Sequence, residues 1–181
     1  MRGFILTGTP GSGKTAVLRQ LEVNGHAVVE EAATDVIALG QALGDPRPWE
    51  RPDFAERILR LQNRRASMVD ADSTVFFDRS PVCTLALCRY LKIPAPEDIL
   101  GGIGKFERTA FLVRNRGFVE PTAARRISFA DSLVFERIHE EVYRELGFTL
   151  IEVPPAPVAE RVALIEERTE GLIEQVTRVR P

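Results

Sequence analysis

Short, continuously apolar runs alternate with amphipathic stretches along this chain. Phe4-Ile5-Leu6, Thr74-Val75-Phe76-Phe77 and Thr109-Ala110-Phe111-Leu112-Val113 lack the every-other-residue polarity of a half-solvated strand, so both faces of the sheet they form are covered. The pattern predicts strands at 3–7, 26–31, 74–78, 108–113 and 148–153. Between them it predicts helices at 14–24, 33–43, 53–70, 81–91, 129–146 and 158–176, and a short helix near 97–104. Alternation of strands with helices along the chain implies a parallel sheet in a three-layer α/β arrangement. Val134, Ile138, Val142 and Leu146 recur at four-residue spacing, and Val158, Val162, Ile165, Leu172 and Val176 form a second stripe; both read as core.

Two segments break the rhythm. Residues 44–52 hold three of the twelve prolines and the single tryptophan, Trp49, giving a stiff connection that carries a large aromatic. Trp49 has two readings, a plug that packs this loop onto helix 53–70 or a cover over a ligand. Residues 114–128 exceed the usual length of a connection, as lids do.

With 181 residues the chain is long enough to bury roughly 70% of its unfolded surface as a single domain spanning 1–181. A formal charge of −2 supplies no global attraction to nucleic acid or membrane. Cys83 and Cys88, five residues apart on a predicted helix, suit neither a disulfide nor a shared metal set. Both read as reduced, buried thiols, and the expected compartment is the cytosol. The N-terminal apolar stretch is only a few residues, so no signal peptide is expected, and no run approaches the ~20 apolar residues of a membrane span.

The strongest chemical signal is Gly8-Thr9-Pro10-Gly11-Ser12-Gly13-Lys14-Thr15, a G-x-x-x-x-G-K-[ST] loop between a predicted strand and a helix beginning Lys14-Thr15-Ala16. Gly8, Gly11 and Gly13 allow backbone conformations in which successive N–H groups turn inward around an anion. Lys14, at a helix N-terminus, reaches phosphate oxygens, and the Thr15 hydroxyl is a ligand for Mg²⁺. The expected occupant is a nucleoside triphosphate, ATP. Composition supports a selected lysine, since among 24 basic residues only Lys14, Lys92 and Lys105 are lysine.

Asp78 ends an apolar strand at the carboxyl edge of the sheet, where it is placed to hold Mg²⁺ with Thr15; the alternative is a helix cap before Ser80-Pro81. Arg79 beside it suits a phosphoryl group or a substrate. Glu30 and Glu31 end the second strand on the same edge. Glu31 is the favoured carboxylate for an acceptor hydroxyl, with Asp35 as second candidate, and a solvated capping pair is the other reading. Residues 105–128 carry a local charge of +4 from Lys105, Arg108, Arg114, Arg116, Arg125 and Arg126 against Glu107 and Glu120. Arg125 and Arg126 are the preferred pair for closing over a triphosphate; a solvated basic face or a nucleic-acid contact is the alternative. His26 and His139 lack a second ligand at metal spacing and are assigned no role.

The phosphate loop, Val-Val-Glu-Glu-Ala-Ala at 28–33, Pro-Trp-Glu at 48–50, Phe-Phe-Asp-Arg-Ser-Pro at 76–81 and Tyr-Arg-Glu-Leu-Gly-Phe at 143–148 resemble the small predicted-ATPase family of P-loop proteins, an AAA-labelled group that includes nicotinamide-riboside-kinase-like domains. That resemblance covers nearly the whole chain. It implies a nucleotide-kinase-like fold with strand order 2-3-1-4-5, an arginine-bearing lid between strands four and five, ATP and Mg²⁺. By position it matches Glu31 to the family's acidic residue after the second strand, and Asp78-Arg79 to the Asp-Arg pair of thymidylate-kinase-type enzymes. Relatives often carry an arginine soon after that glutamate, whereas this chain has Thr34-Asp35. The expected activity is transfer of a phosphoryl group from ATP to a small metabolite, nucleoside or nucleotide-like acceptor. The alternatives are an ATPase or switch acting on a protein partner and, less favoured, a kinase of nucleic-acid ends.

Overall fold

A computed structural model describes residues 1–70, 72–115 and 128–179, with side chains to 175. Five parallel strands run β1 (Arg2–Thr7), β2 (Ala27–Val29), β3 (Thr74–Asp78), β4 (Phe106–Val113) and β5 (Thr149–Val153), ordered β2-β3-β1-β4-β5. Among the described residues six α-helices connect and cover them: α1 (Lys14–Val23), α2 (Ala33–Ala42), α3 (Phe54–Ser67), α4 (Pro81–Leu91), α5 (Phe129–Glu145) and α6 (Val158–Val179). This is the five-stranded three-layer sheet that the alternating pattern implies.

The buried stretches of the central strands are apolar because each face has its own partner layer. Phe4 and Leu6 of β1, with Phe76 and Phe111, pack on Val17, Leu18 and Leu21 of α1 and on Val162 and Ile165 of α6. Ile5 and Phe77 point the other way, toward Val82 and Ala86 of α4 and Phe135 and Val142 of α5. Each such side chain contributes roughly 1.5–3 kcal/mol on full burial. Register sets the site: Leu6 of β1 lies beside Asp78 of β3, so the loop after β1 and the carboxylate ending β3 emerge together.

Three expectations need correction. β2 spans only Ala27–Val29 rather than 26–31, and Glu30 and Glu31 lie beyond the sheet. No helix occupies 97–104; turns lead to a single 3-10 turn at Ile103–Lys105, as Gly101, Gly102 and Gly104 oppose helix propagation. On α5 the buried face carries Phe135, His139, Val142 and Tyr143, while Val134, expected in the core, is 41% exposed. Four-residue spacing drifts around a 3.6-residue helix, so that stripe does not stay on one face.

The 44–52 connection folds back through a 3-10 turn at Pro48–Glu50. Its close approach to α2 needs Gly40, where a Cβ would lie 2.5 Å from Pro48 Cγ.

Candidate active site

Gly8, Gly11 and Gly13 have φ of 130°, 86° and 89°, the left-handed region in which glycine is favoured. Gly8 has a second constraint, because a Cβ there would lie 2.4 Å from the Val113 carbonyl oxygen. Gly13 is the turn into α1. Lys14, only 5% exposed, folds back over the loop and donates to the Thr9 carbonyl at 2.8 Å and the Ser12 hydroxyl at 3.2 Å. Burial, reinforced by the Arg79 charge and opposed by Asp78 and Glu31, pushes its ammonium down to about 8. A buried cation with only neutral hydrogen-bond acceptors in direct contact is ready to receive an anion.

Thr15 Oγ1 donates to Asp78 Oδ2 at 3.3 Å. Asp78 Oδ1 is buried without a hydrogen-bond partner, and burial raises this carboxyl above its usual range, with Lys14 and Arg79 opposing the rise. A hydroxyl and a half-satisfied carboxylate at one point offer the hard oxygen donors that Mg²⁺ prefers, and Mg²⁺ takes few protein ligands when substrate phosphates supply others. The donor set fits that ion. The N-cap position of α4 is Ser80, with Pro81 in the first turn, so Asp78 does not occupy it.

Arg79 follows with φ 75°, unusual for a residue bearing Cβ. Its backbone N–H bonds the Leu6 carbonyl at 3.0 Å, and its Nε donates to Glu31 Oε1 at 2.5 Å. Glu31 also accepts the Thr34 hydroxyl at 3.1 Å. Burial would raise the Glu31 carboxyl, but Arg79, Lys14 and these hydrogen bonds outweigh it and hold the group below its ordinary range. Glu30 instead pairs with Arg19, both half-exposed and both lining the same cavity. Asp35 pairs with Arg65, which also donates to the backbone carbonyls of Glu30 at 3.2 Å and Glu31 at 2.6 Å. The second-candidate carboxylate therefore helps hold the elbow that aims the first.

Under this floor Tyr143 shares its hydroxyl with Ser80 at 2.8 Å and Cys83 at 3.1 Å. His139 Nδ1 donates to the Phe135 carbonyl at 2.9 Å, and burial, with the Arg79 charge, pushes the imidazole down to about 3. Cys83 and Cys88 are both reduced and buried. His26 bonds Glu166 at 2.9 Å on the far side of the sheet.

A cavity of about 800 Å³ runs from the phosphate loop past Glu31, Asp78 and Arg79 into an apolar chamber between α2, α3, α4 and α5. Ile37, Trp49, Phe54, Ile58, Leu87 and Phe135 line it. Trp49 packs against Ala32, Val36, Phe54 and Ile58, as the plug reading expects, and it also lines the chamber. Gln62 of α3 also lines the chamber, 2% exposed and with its Oε1 buried and unpartnered. Sequence reading passed over Gln62, although it stands in the apolar stripe Phe54, Ile58, Leu59 and Ala66, where an amide is out of place.

Arg116, Arg125 and Arg126 lie outside the described residues, so the arginine lid expected at 114–128 is described only at its ends. The other cations counted with it are drawn onto the body. Arg114 is held by Glu136, Glu140 and Glu152, Arg108 donates to the Leu146 carbonyl, and Lys105 reaches Asn63. None of these three lines the cavity. Among the described residues no group of three or more His, Cys, Asp or Glu forms a metal cluster. No described helix is long and apolar enough to cross a membrane.

The sheet order, the glycine loop entering α1 and the carboxylate beside it define a P-loop fold of the nucleotide-kinase type. A family model described as an AAA domain matches residues 3–161, and the chain belongs to that family. No curated protein matches the sequence. Among solved structures it is similar to deoxyadenosine kinase from M. mycoides with products dCMP and a flexible dCDP bound, at TM-score 0.63 and 14% identity over 95% of this chain and 100% of that one. The same enzyme with bound dCTP gives 0.62 and 14%, and with bound dATP 0.58 and 14%, each over 94% of this chain and 100% of that chain. At such identity the likeness is one of fold.

Proposed function

We propose that this protein is a kinase that transfers the γ-phosphoryl group of ATP to a hydroxyl of a nucleoside-like acceptor. The observation that carries the reading is the continuity of one cavity from the phosphate loop to an apolar chamber with an unpartnered amide, Gln62 Oε1. An ATPase needs no such chamber. Planar aromatic and aliphatic walls with one buried hydrogen-bond acceptor suit a heterocyclic base carrying an N–H, and the fold is shared with deoxyadenosine kinase.

In this reading the backbone of Gly8, Thr9, Pro10, Gly11, Ser12, Gly13 and Ala16 cradles the phosphates, and Lys14 exchanges its bonds to Thr9 and Ser12 for phosphate oxygens. Thr15 and Asp78 hold Mg²⁺, which supplies charge neutralisation on the phosphates when bound. The acceptor oxygen attacks the γ-phosphorus, the bond to the ADP oxygen breaks, and the acceptor proton passes to Glu31. Because Arg79 holds Glu31 below its ordinary range, Glu31 acts chiefly by orienting the hydroxyl and takes the proton late, as the P–O bond forms. Arg79 brings positive charge to the transferring group.

The test is transfer of labelled γ-phosphate from ATP and Mg²⁺ to a panel of nucleosides, nucleoside monophosphates and no acceptor, comparing wild type with Lys14→Ala. Labelled nucleoside monophosphate made only by the wild type supports the reading. Lys14-dependent release of inorganic phosphate that no acceptor changes would overturn it in favour of an ATPase.

A further inference from the structure

Arg161, in the first turns of α6, is 2% exposed, and three of its nitrogens donate to backbone carbonyls from three separate segments. Nη1 bonds Ser12 of the phosphate loop at 2.8 Å, Nη2 bonds Arg114 at the end of β4 at 3.0 Å, and Nε bonds Pro154 after β5 at 3.1 Å. Burying a guanidinium is costly, and a planar fork of donors is what lets one side chain serve three diverging acceptors.

The junction has further ties. Asn115 Nδ2 reaches Thr9 Oγ1 at 3.5 Å and Ser132 Oγ at 3.1 Å. The Arg114 N–H bonds the Val153 carbonyl at 3.0 Å. At Gly8 the loop backbone abuts the Val113 carbonyl so closely that a Cβ would lie 2.4 Å from its oxygen. The phosphate loop is thus braced from behind by the ends of β4 and β5, and Arg161 is the side chain common to all three.

We propose that Arg161 is a positioning residue for nucleotide binding, one that fixes the orientation of the Ser12–Gly13 peptide without touching the nucleotide. A trans peptide is planar, with its C=O and N–H pointing in opposite directions. Holding the Ser12 carbonyl on Nη1 therefore turns the Gly13 N–H away from Arg161, and Gly13 itself lines the cavity. Without the guanidinium the loop samples other peptide orientations between its glycines, and the preorganised anion cradle is lost. Lysine, with a single nitrogen, can hold the loop or a strand end but not all three. The proposal rests on the phosphate loop being the nucleotide site.

The test is titration of wild type, Arg161→Lys and Arg161→Met with ATP and Mg²⁺, at a temperature where circular dichroism shows each variant fully folded. Loss of two or three preorganising bonds predicts ATP dissociation constants raised by about tenfold or more, with Arg161→Lys between wild type and Arg161→Met. A folded Arg161→Met that binds ATP within about twofold of wild type overturns the proposal, since a purely structural brace would change melting temperature alone. If neither variant folds, hydrogen exchange of the wild type decides. Amides of 8–15 that exchange in one cooperative unit with the first turns of α6 support the brace, and loop amides that open independently overturn it. A wild type that binds ATP but phosphorylates no acceptor overturns the kinase reading and leaves this one standing.

Discussion

Arg79 is anchored on Glu31, 48 residues earlier in the chain, through Nε and Oε1. The contact joins the elbow after β3 to the elbow after β2, and the two side chains form one wall of the passage from the phosphate loop to the chamber. Neither is free to turn away, because Arg79 is tethered by its backbone to Leu6 and the Glu31 carbonyl is held by Arg65.

Glu31→Gln keeps the shape of that wall and removes the charge. Phosphoryl transfer is expected to fall by about 10²-fold or more, with the ATP dissociation constant changed by less than about threefold. Single-turnover kinetics beside equilibrium binding checks this, and equal losses in both would take Glu31 out of the chemical step.

Lys14 carries a cost in the empty protein. Its ammonium falls from 10.5 to about 8 on folding, so between those values the unfolded chain binds more protons and stability rises with pH. From pH 7 to 9.5 the Lys14 contribution is expected to improve by about 2 kcal/mol. Lys14→Met, which has nothing to titrate there, is expected to lack this rise, to be more stable than wild type at pH 7, and to lose ATP binding. Parallel pH profiles of urea unfolding for the two proteins would contradict it.

Gln62→Leu fills the same space without an orphaned acceptor. The variant is expected to be more stable by about 1 kcal/mol, while kcat/KM for the acceptor falls by about 10²-fold and ATP binding is unchanged. An unaltered acceptor preference in competition assays would mean that Gln62 reads nothing.

His139 is neutral in the folded protein and its imidazole titrates near 3. Its folded pKa lies below the unfolded one, so its contribution is complete above about pH 6.5 and is lost as pH falls toward 3. By pH 4 the loss is about 3 kcal/mol. His139→Gln is expected to show a shallower decline between pH 6.5 and 4, read from denaturant midpoints.

Much of the frame was legible. The apolar runs located β1, β3 and β4 because their buried stretches are covered on both faces, the two edge strands had to be read from shorter or mixed runs, and the glycine loop was legible because its backbone conformations demand glycine. Asp78, Arg79 and Glu31, which line one cavity, stood out because they lie at or within two residues of the ends of apolar runs. Gln62 and Arg161 were not, since each lies within a helix and acquires its meaning from segments far along the chain. The ion pairing of Arg114 was not legible, because counting charge along the sequence cannot show the three glutamates that α5 and β5 bring to it.

Gly40 does not line the cavity, yet it sets how tightly the turn bearing Trp49 sits on α2. A methyl group there would meet Pro48 Cγ at 2.5 Å and Cβ at 2.8 Å, so α2 and the turn must move apart, and the indole that follows the proline moves with the turn. The bore of the chamber is thus set in part from the back of α2, and Gly40→Ala is expected to widen what the cavity admits without replacing any residue that faces it.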